Sequence, residues 1–293
     1  MDVRDWRRRV VLVVVALGLA LAACRGGSEP PPKAVGASTT PSPTGPAVGV
    51  IAIGHSGVTG RNSDPARPDA DARENSWATG SAPAVKSIYQ RLLAARPQTR
   101  GHVANYAEDG TEASALAQQA QLALGDVPAP ELVLVQTIDN DLRCDGTDAA
   151  HVVDFGTSLA FALNAIHARS PRSQIVLVGQ GDPGAFAAGV AADPLARSSL
   201  QGTGMCDMFD PAGHLVPAHV ATLTSIIRSY VAEQSRVCAS VPGCHDDGGA
   251  MARHVDRPDD ISSDHNHLNI AGHAAMAVAM WPAVASALGI PAS

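Results

Sequence analysis

Short apolar runs that end at glycine or a polar residue alternate along this chain with longer stretches in which apolar positions recur at helical spacing. Residues 48–53 read Val-Gly-Val-Ile-Ala-Ile and stop at Gly54, residues 132–136 read Leu-Val-Leu-Val-Gln, and residues 174–178 read Gln-Ile-Val-Leu-Val; a poorer run spans 101–106. Runs of this kind mark strands buried on both faces of a parallel sheet. Between them, residues 84–95, 112–124 and 152–168 carry helical patterns, and two more helices are expected at 217–234 and 269–288, the last kinked or broken at Pro282. The alternation predicts an α/β fold, a three-layer α/β/α sandwich around a mostly parallel sheet of about five strands with right-handed crossovers. The stretches 179–215 and 235–263 lack such a pattern and read as long irregular segments that need a function or a staple.

The pattern changes character at both ends of the first 46 residues. Arg4, Arg7, Arg8 and Arg9 precede an unbroken apolar run from Val10 to Ala23, too short for a comfortable membrane span and ending in small residues, which predicts a signal segment over 1–23. Residues 24–46 are rich in Pro, Ser and Thr, cannot bury enough apolar surface to fold, and predict a disordered tether. The folded domain is expected over 47–293. The chain carries a formal charge of −7, which becomes −9 when residues 1–23 are set aside, so nucleic acid and anionic membrane surfaces are poor partners for the mature domain.

Beyond Cys24 there are four cysteines, Cys144, Cys206, Cys238 and Cys244. An even number in an exported chain favours two disulfides, with three connectivities open. The short loop between Cys238 and Cys244 favours pairing those two, leaving Cys144 with Cys206. A zinc site using Cys244 and His245 is the competing reading, without regular ligand spacing to support it.

Candidate chemistry lies in four blocks: Gly54-His55-Ser56, Asn105 to Gly110, Asp139-Asn140-Asp141, and Asp264-His265-Asn266-His267. The first three follow predicted strands, so they fall on the carboxyl rim of the sheet, where ligands of such folds bind. Serine needs an adjacent base to act as a nucleophile, and the spacing of Asp264 and His267 allows the carboxylate to accept Nδ1–H and leave Nε2 facing Ser56. Gly110 N–H and the Asn140 amide are candidate donors to an oxyanion. The Ser56 block is neither the Gly-x-Ser-x-Gly elbow, since position 58 is Val, nor a P-loop, since Arg61 and Asn62 follow Gly60. His265 reads as a loop residue and His273 as a helix residue outside the chemistry.

Read in order, these blocks resemble the SGNH hydrolase superfamily, the GDSL esterase/lipase family, over essentially Val48 to Leu288. The family's Gly-Asp-Ser-x-x-x-Gly block matches Gly54 to Gly60, its Asn with Gly five positions later matches Asn105 and Gly110, its Gly-x-Asn-Asp block matches Ile138 to Asp141, and its Asp-x-x-His block matches Asp264 and His267, followed by Gly272-His273. The resemblance implies a flavodoxin-like sheet, Ser56 as nucleophile, Asp264 and His267 as the rest of a triad, and an oxyanion hole of Ser56 N–H, Gly110 N–H and the Asn140 side chain. Two positions depart from the pattern: His55 stands where the family has Asp, and Ile138 where it has Gly. Separately, Leu21-Ala22-Ala23-Cys24 resembles a bacterial lipobox, which implies lipid attachment at Cys24 and anchorage to the outer face of the cell membrane.

The expected activity is that of an extracytoplasmic serine esterase or deacylase acting through an acyl-enzyme, without metal or organic cofactor. Its expected substrates are an ester-bearing small molecule, a lipid or an acylated glycan. A binding lipoprotein with a catalytically weak site and an acyltransferase acting on envelope glycans are the alternatives. Aromatic residues are only 3% of the chain, with Trp77 and Trp281 the tryptophans after residue 24, so no broad sugar-stacking platform is legible. The sequence leaves the oligomeric state open.

Overall fold

A computed structural model describes residues 45–292; the expected signal segment, Cys24 and the expected tether up to residue 44 lie outside the described residues. The chain forms β1 (Val50–Gly54), a single-turn helix α1 (Ser56–Thr59), α2 (Ile88–Ala95), β2 (Val103–Asn105), α3 (Leu116–Asp126), β3 (Leu132–Gln136), α4 (Asp148–Arg169), β4 (Gln174–Val178), α5 (Pro183–Val190), α6 (Pro194–Ser199), α7 (Pro217–Cys238), β5 (Cys244–Asp246), α8 (Ala250–Arg253) and α9 (Ile270–Ala287). All strand pairs are parallel, in the order β2-β1-β3-β4-β5. This is the flavodoxin-like order, with its topological switch between β1 and β3.

The strands sort their side chains with the period of two that a pleated backbone imposes. Ile51, Ile53, Val133, Val135, Ile175 and Leu177 face one layer, where they pack with Leu116 of α3, Phe155, Leu159 and Leu163 of α4 and Tyr230 of α7. Val50, Ala52, Leu132, Leu134, Val176 and Val178 face the other, against Ile88 and Leu92 of α2 and Met276, Met280 and Val284 of α9. Burying one such aliphatic side chain contributes about 2 kcal/mol. Both faces are covered, which is why the central strands read as continuous apolar runs.

Several boundaries differ from the sequence expectation for identifiable reasons. Helix α2 starts at Ile88 rather than residue 84 because Lys86 is left-handed (φ 51°) and Ser87 forms a reciprocal cap with Gln90. The stretch 179–215 contains α5 and α6, each begun by an aspartate whose side chain caps the helix and a proline at the first helical position: Asp182-Pro183 and Asp193-Pro194. Helix α9 runs through Pro282 without a break. The carbonyl that loses its donor there belongs to Val278, an exposed residue that water can reach. Strand β5 lies inside the stretch expected to be irregular; it is a three-residue edge, Cys-His-Asp, with no apolar signature.

The two disulfides are Cys144–Cys206 and Cys238–Cys244. The second ties the end of α7 to β5. The first ties the loop after β3 to the segment following α6, whose Met208 and Phe209 pack with Ala187 and Val190 of α5 and Ala196 of α6 in a small core of their own. Cys244 is therefore oxidised rather than a metal ligand, and His245 bonds Gln174 Oε1 through Nε2 at 2.8 Å.

Candidate active site

Strand β1 ends in a tight, clamped turn that delivers Ser56. Gly54 has φ 136°, its N–H donates to Gln119 Oε1 at 2.7 Å, and Gln119 Nε2 returns a bond to Gly54 O at 3.0 Å. The next residue, His55, donates its backbone N–H to Gln136 O of β3 and caps α1 by accepting Gly57 N–H at Nδ1, 3.0 Å. Ser56 is the first residue of α1 and is buried. Asn105, at the end of β2, fixes the far side of the turn by donating to Val58 O and Thr79 Oγ1, both at 2.9 Å.

The fourth block folds as a loop before α9 in which Asp264 gathers donors. Its Oδ1 accepts the backbone N–H groups of Asn266 and His267 at 3.1 Å each, and its Oδ2 accepts His267 Nδ1–H at 2.6 Å and a bond from Asn62 Nδ2. Burial pushes the Asp264 carboxyl up, but the four hydrogen bonds outweigh it and hold the group at about 2. With Nδ1 occupied, His267 keeps Nε2 for another partner.

Ser56 and His267 line the same cavity, of about 270 Å³, together with His55, Gln136 and Asp139. Its apolar wall includes Leu142, Phe186, Leu200, Met208, Leu223 and Ile227, contributed largely by α5, α7 and the disulfide-tied segment. A more open depression of about 510 Å³ between the β5–α8 loop and α9 holds none of the four blocks. Gly110 and Asn140 lie in the loops after β2 and β3, which meet at Thr111, whose carbonyl accepts Asn140 Nδ2 at 3.1 Å; neither lines the cavity. Ile138, buried and opening the third block, has φ 85° and ψ −55°, a strained γ-turn for a β-branched residue. Packing in the core beside α3 and α4 holds it there.

Sequence reasoning gave no role to Asn62 or Gln136, while His273 is the packed helix residue it was read as. Asn62 supports Asp264, while Gln136 caps the end of β3 and shares the Trp77 indole N–H with Gly57 O, at 3.2 and 3.0 Å. The available signal for Gln136 was a polar residue closing an otherwise apolar central strand. His273, on α9, is fully enclosed and accepts Trp77 N–H at Nδ1, 3.4 Å. Burial and the neighbouring His267 push it down to about 3.

That depression makes His273 an acid-sensitive element. The unfolded chain takes up the proton near pH 6.5 while the native state refuses it down to about 3, so stability falls as pH falls through that window. Urea unfolding of wild type is expected to lose roughly 1 kcal/mol per pH unit from this residue between about pH 6 and pH 4. His273→Gln is expected to flatten that slope, whereas a simple packing defect would shift all pH values equally.

Among the described residues, one cluster has metal-ligand spacing, Glu112, Asp141 and His151. The Arg143 guanidinium already occupies it, bonding both oxygens of Glu112 at 2.8 Å and contacting His151 Nε2 at 2.8 Å. A second cation there would meet that fixed charge.

No protein-family model matches the sequence, and no curated protein matches it. Solved structures do. A lipase from a goat rumen metagenome superposes with a TM-score of 0.50 at 12% identity, over 81% of this chain and 97% of that one. The fold is shared. An extracellular lipase from Streptomyces rimosus gives 0.49 at 17% identity, over 82% of this chain and 100% of that one. A family two carbohydrate esterase from Clostridium thermocellum gives 0.48 at 13%, over 83% and 65%.

Proposed function

We propose that this protein is an extracytoplasmic serine ester hydrolase, attached to the outer face of the cell membrane through lipidated Cys24. The observation that carries the reading is the presence of Ser56 and the Asp264-supported His267 on the wall of one cavity. Ser56 Oγ attacks the ester carbonyl carbon as His267 Nε2 takes its proton, and Asp264 holds the ring in the tautomer that accepts it. Ser56 N–H is the oxyanion donor on the cavity wall; Gly110 N–H and the Asn140 amide, the further donors that the family resemblance implies, stand outside that wall. One Asn140 N–H serves Thr111 O, and the amide has a second to give. Collapse expels the alcohol with the proton from His267, and water repeats the sequence on the acyl-enzyme to release the acid and free Ser56.

The apolar wall suits an acyl group, and the two disulfides support an oxidising compartment. Incubation with a fluorophosphonate is the test. Phosphonylation confined to the peptide carrying Ser56, with parallel loss of turnover on short-chain esters, is expected. Labelling elsewhere, or none under conditions where esters are cleaved, would overturn the assignment.

A further inference from the structure

The cavity holds a donor that the hydrolytic steps do not use. His55 is 4% exposed and lines the cavity beside Ser56. Its Nδ1 accepts Gly57 N–H, so the neutral ring carries its proton on Nε2. Nε2 is buried and has no partner. Burial is the strongest influence on this ring and keeps it neutral; Asp139 opposes that, His267 adds to it, and Asp141 and Asp109 oppose it. The ring is thus a fixed N–H donor at neutral pH rather than a cation.

Asp139 stands at the exposed rim of the same cavity and is the carboxylate that acts most strongly on His55, without bonding it. Gln180 Nε2 holds its Oδ1 at 3.2 Å, which leaves acceptor capacity on the carboxylate. A buried N–H donor and a carboxylate acceptor thus belong to residues that line the same cavity. The group that satisfies both at once is one that accepts and donates through a single atom.

We propose that His55 and Asp139 recognise a hydroxyl group on the substrate, its oxygen accepting Nε2–H of His55 and its proton donated to the Asp139 carboxylate. The inference rests on the cavity being the ester-binding site, and it narrows the substrate to a hydroxylated ester. A purely aliphatic ester leaves the His55 donor unpaired and is selected against, because a site built to bond a hydroxyl rejects the analogue that lacks it. The Asp found at this position in the resembled family is an acceptor only; His55 exchanges that for a donor and leaves acceptance to Asp139.

Binding to Ser56→Ala protein, measured by calorimetry, tests the pair without requiring turnover. Glycerol monobutyrate against propyl butyrate places the hydroxyl on the alcohol side, and para-nitrophenyl hydroxybutyrate against the butyrate places it on the acyl side. In one of the two pairs the hydroxylated member is expected to bind about 10-fold tighter, and its methyl ether, which accepts but cannot donate, to fall between. His55→Asn and Asp139→Asn, made in the same background, are each expected to reduce the ratio toward one. The asparagine side chain of the first variant retains an oxygen to cap α1, so the turn is kept. Equal binding within both pairs, or a preference that survives both substitutions, would overturn the proposal. Absent fluorophosphonate labelling would remove the hydrolase reading while leaving this binding result to stand or fall alone.

Discussion

Ser56→Ala, His267→Ala and the double variant are expected to lower kcat by nearly the same factor, on the order of 10⁶, because a nucleophile and its base act as one unit. Once the serine is gone the imidazole has no proton to take, and once the imidazole is gone the hydroxyl is a poor nucleophile at neutral pH. Asp264→Asn is expected to cost less, about 10⁴-fold, by offering His267 Nδ1 the wrong tautomer. It also removes the carboxylate that accepts from Asn62, Asn266 and the backbone of His267. Steady-state kinetics on a short-chain ester, with circular dichroism to confirm folding, measures all four proteins. Multiplying losses for Ser56 and His267 would mean that they act independently, against the triad.

The largest expected loss of stability comes from Gly54→Ala. An added Cβ would stand 1.8 Å from Gln136 O and 2.8 Å from Gln136 C, both backbone atoms of the adjacent strand, at a φ of 136° that L-residues rarely adopt. Neither neighbour can rotate away. Strands β1 and β3 would have to part where Gln119 also grips Gly54, and the cost is expected to be at least about 3 kcal/mol. Gly110→Ala is the comparison: its φ is 72° but the new Cβ meets no atom within 4 Å, so about 1 kcal/mol is expected. Chemical denaturation of the two variants against wild type checks both values.

What the sequence disclosed was local. Strands β1, β3 and β4 were legible because burial on both faces forces unbroken apolar runs, and the parallel α/β architecture followed from their alternation with helices, whereas the flavodoxin-like order came from the family resemblance. Strand β5 was not, since a three-residue edge pairs through backbone groups that any side chains can accompany. Helices α5 and α6 were legible in principle from their Asp-Pro starts, but composition rich in Gly and Ala masked them. In the candidate site, Ser56, Asp264 and His267 stood out because each sits in a compact block. Asn62 reaches Asp264 across 202 positions of sequence and Trp77 reaches His273 across 196, distances at which no spacing rule operates.

The wall formed by Leu200 and Met208 brackets Cys206, whose partner Cys144 follows Asn140 by four residues. One covalent link therefore spans the segment that shapes the substrate's surroundings and the loop that carries a candidate oxyanion donor. A reducing compartment would leave that link unmade, and the cavity wall and the Asn140 loop would then lose their covalent tie. On the proposed function, assembly of the cavity wall is thereby coupled to an oxidising environment.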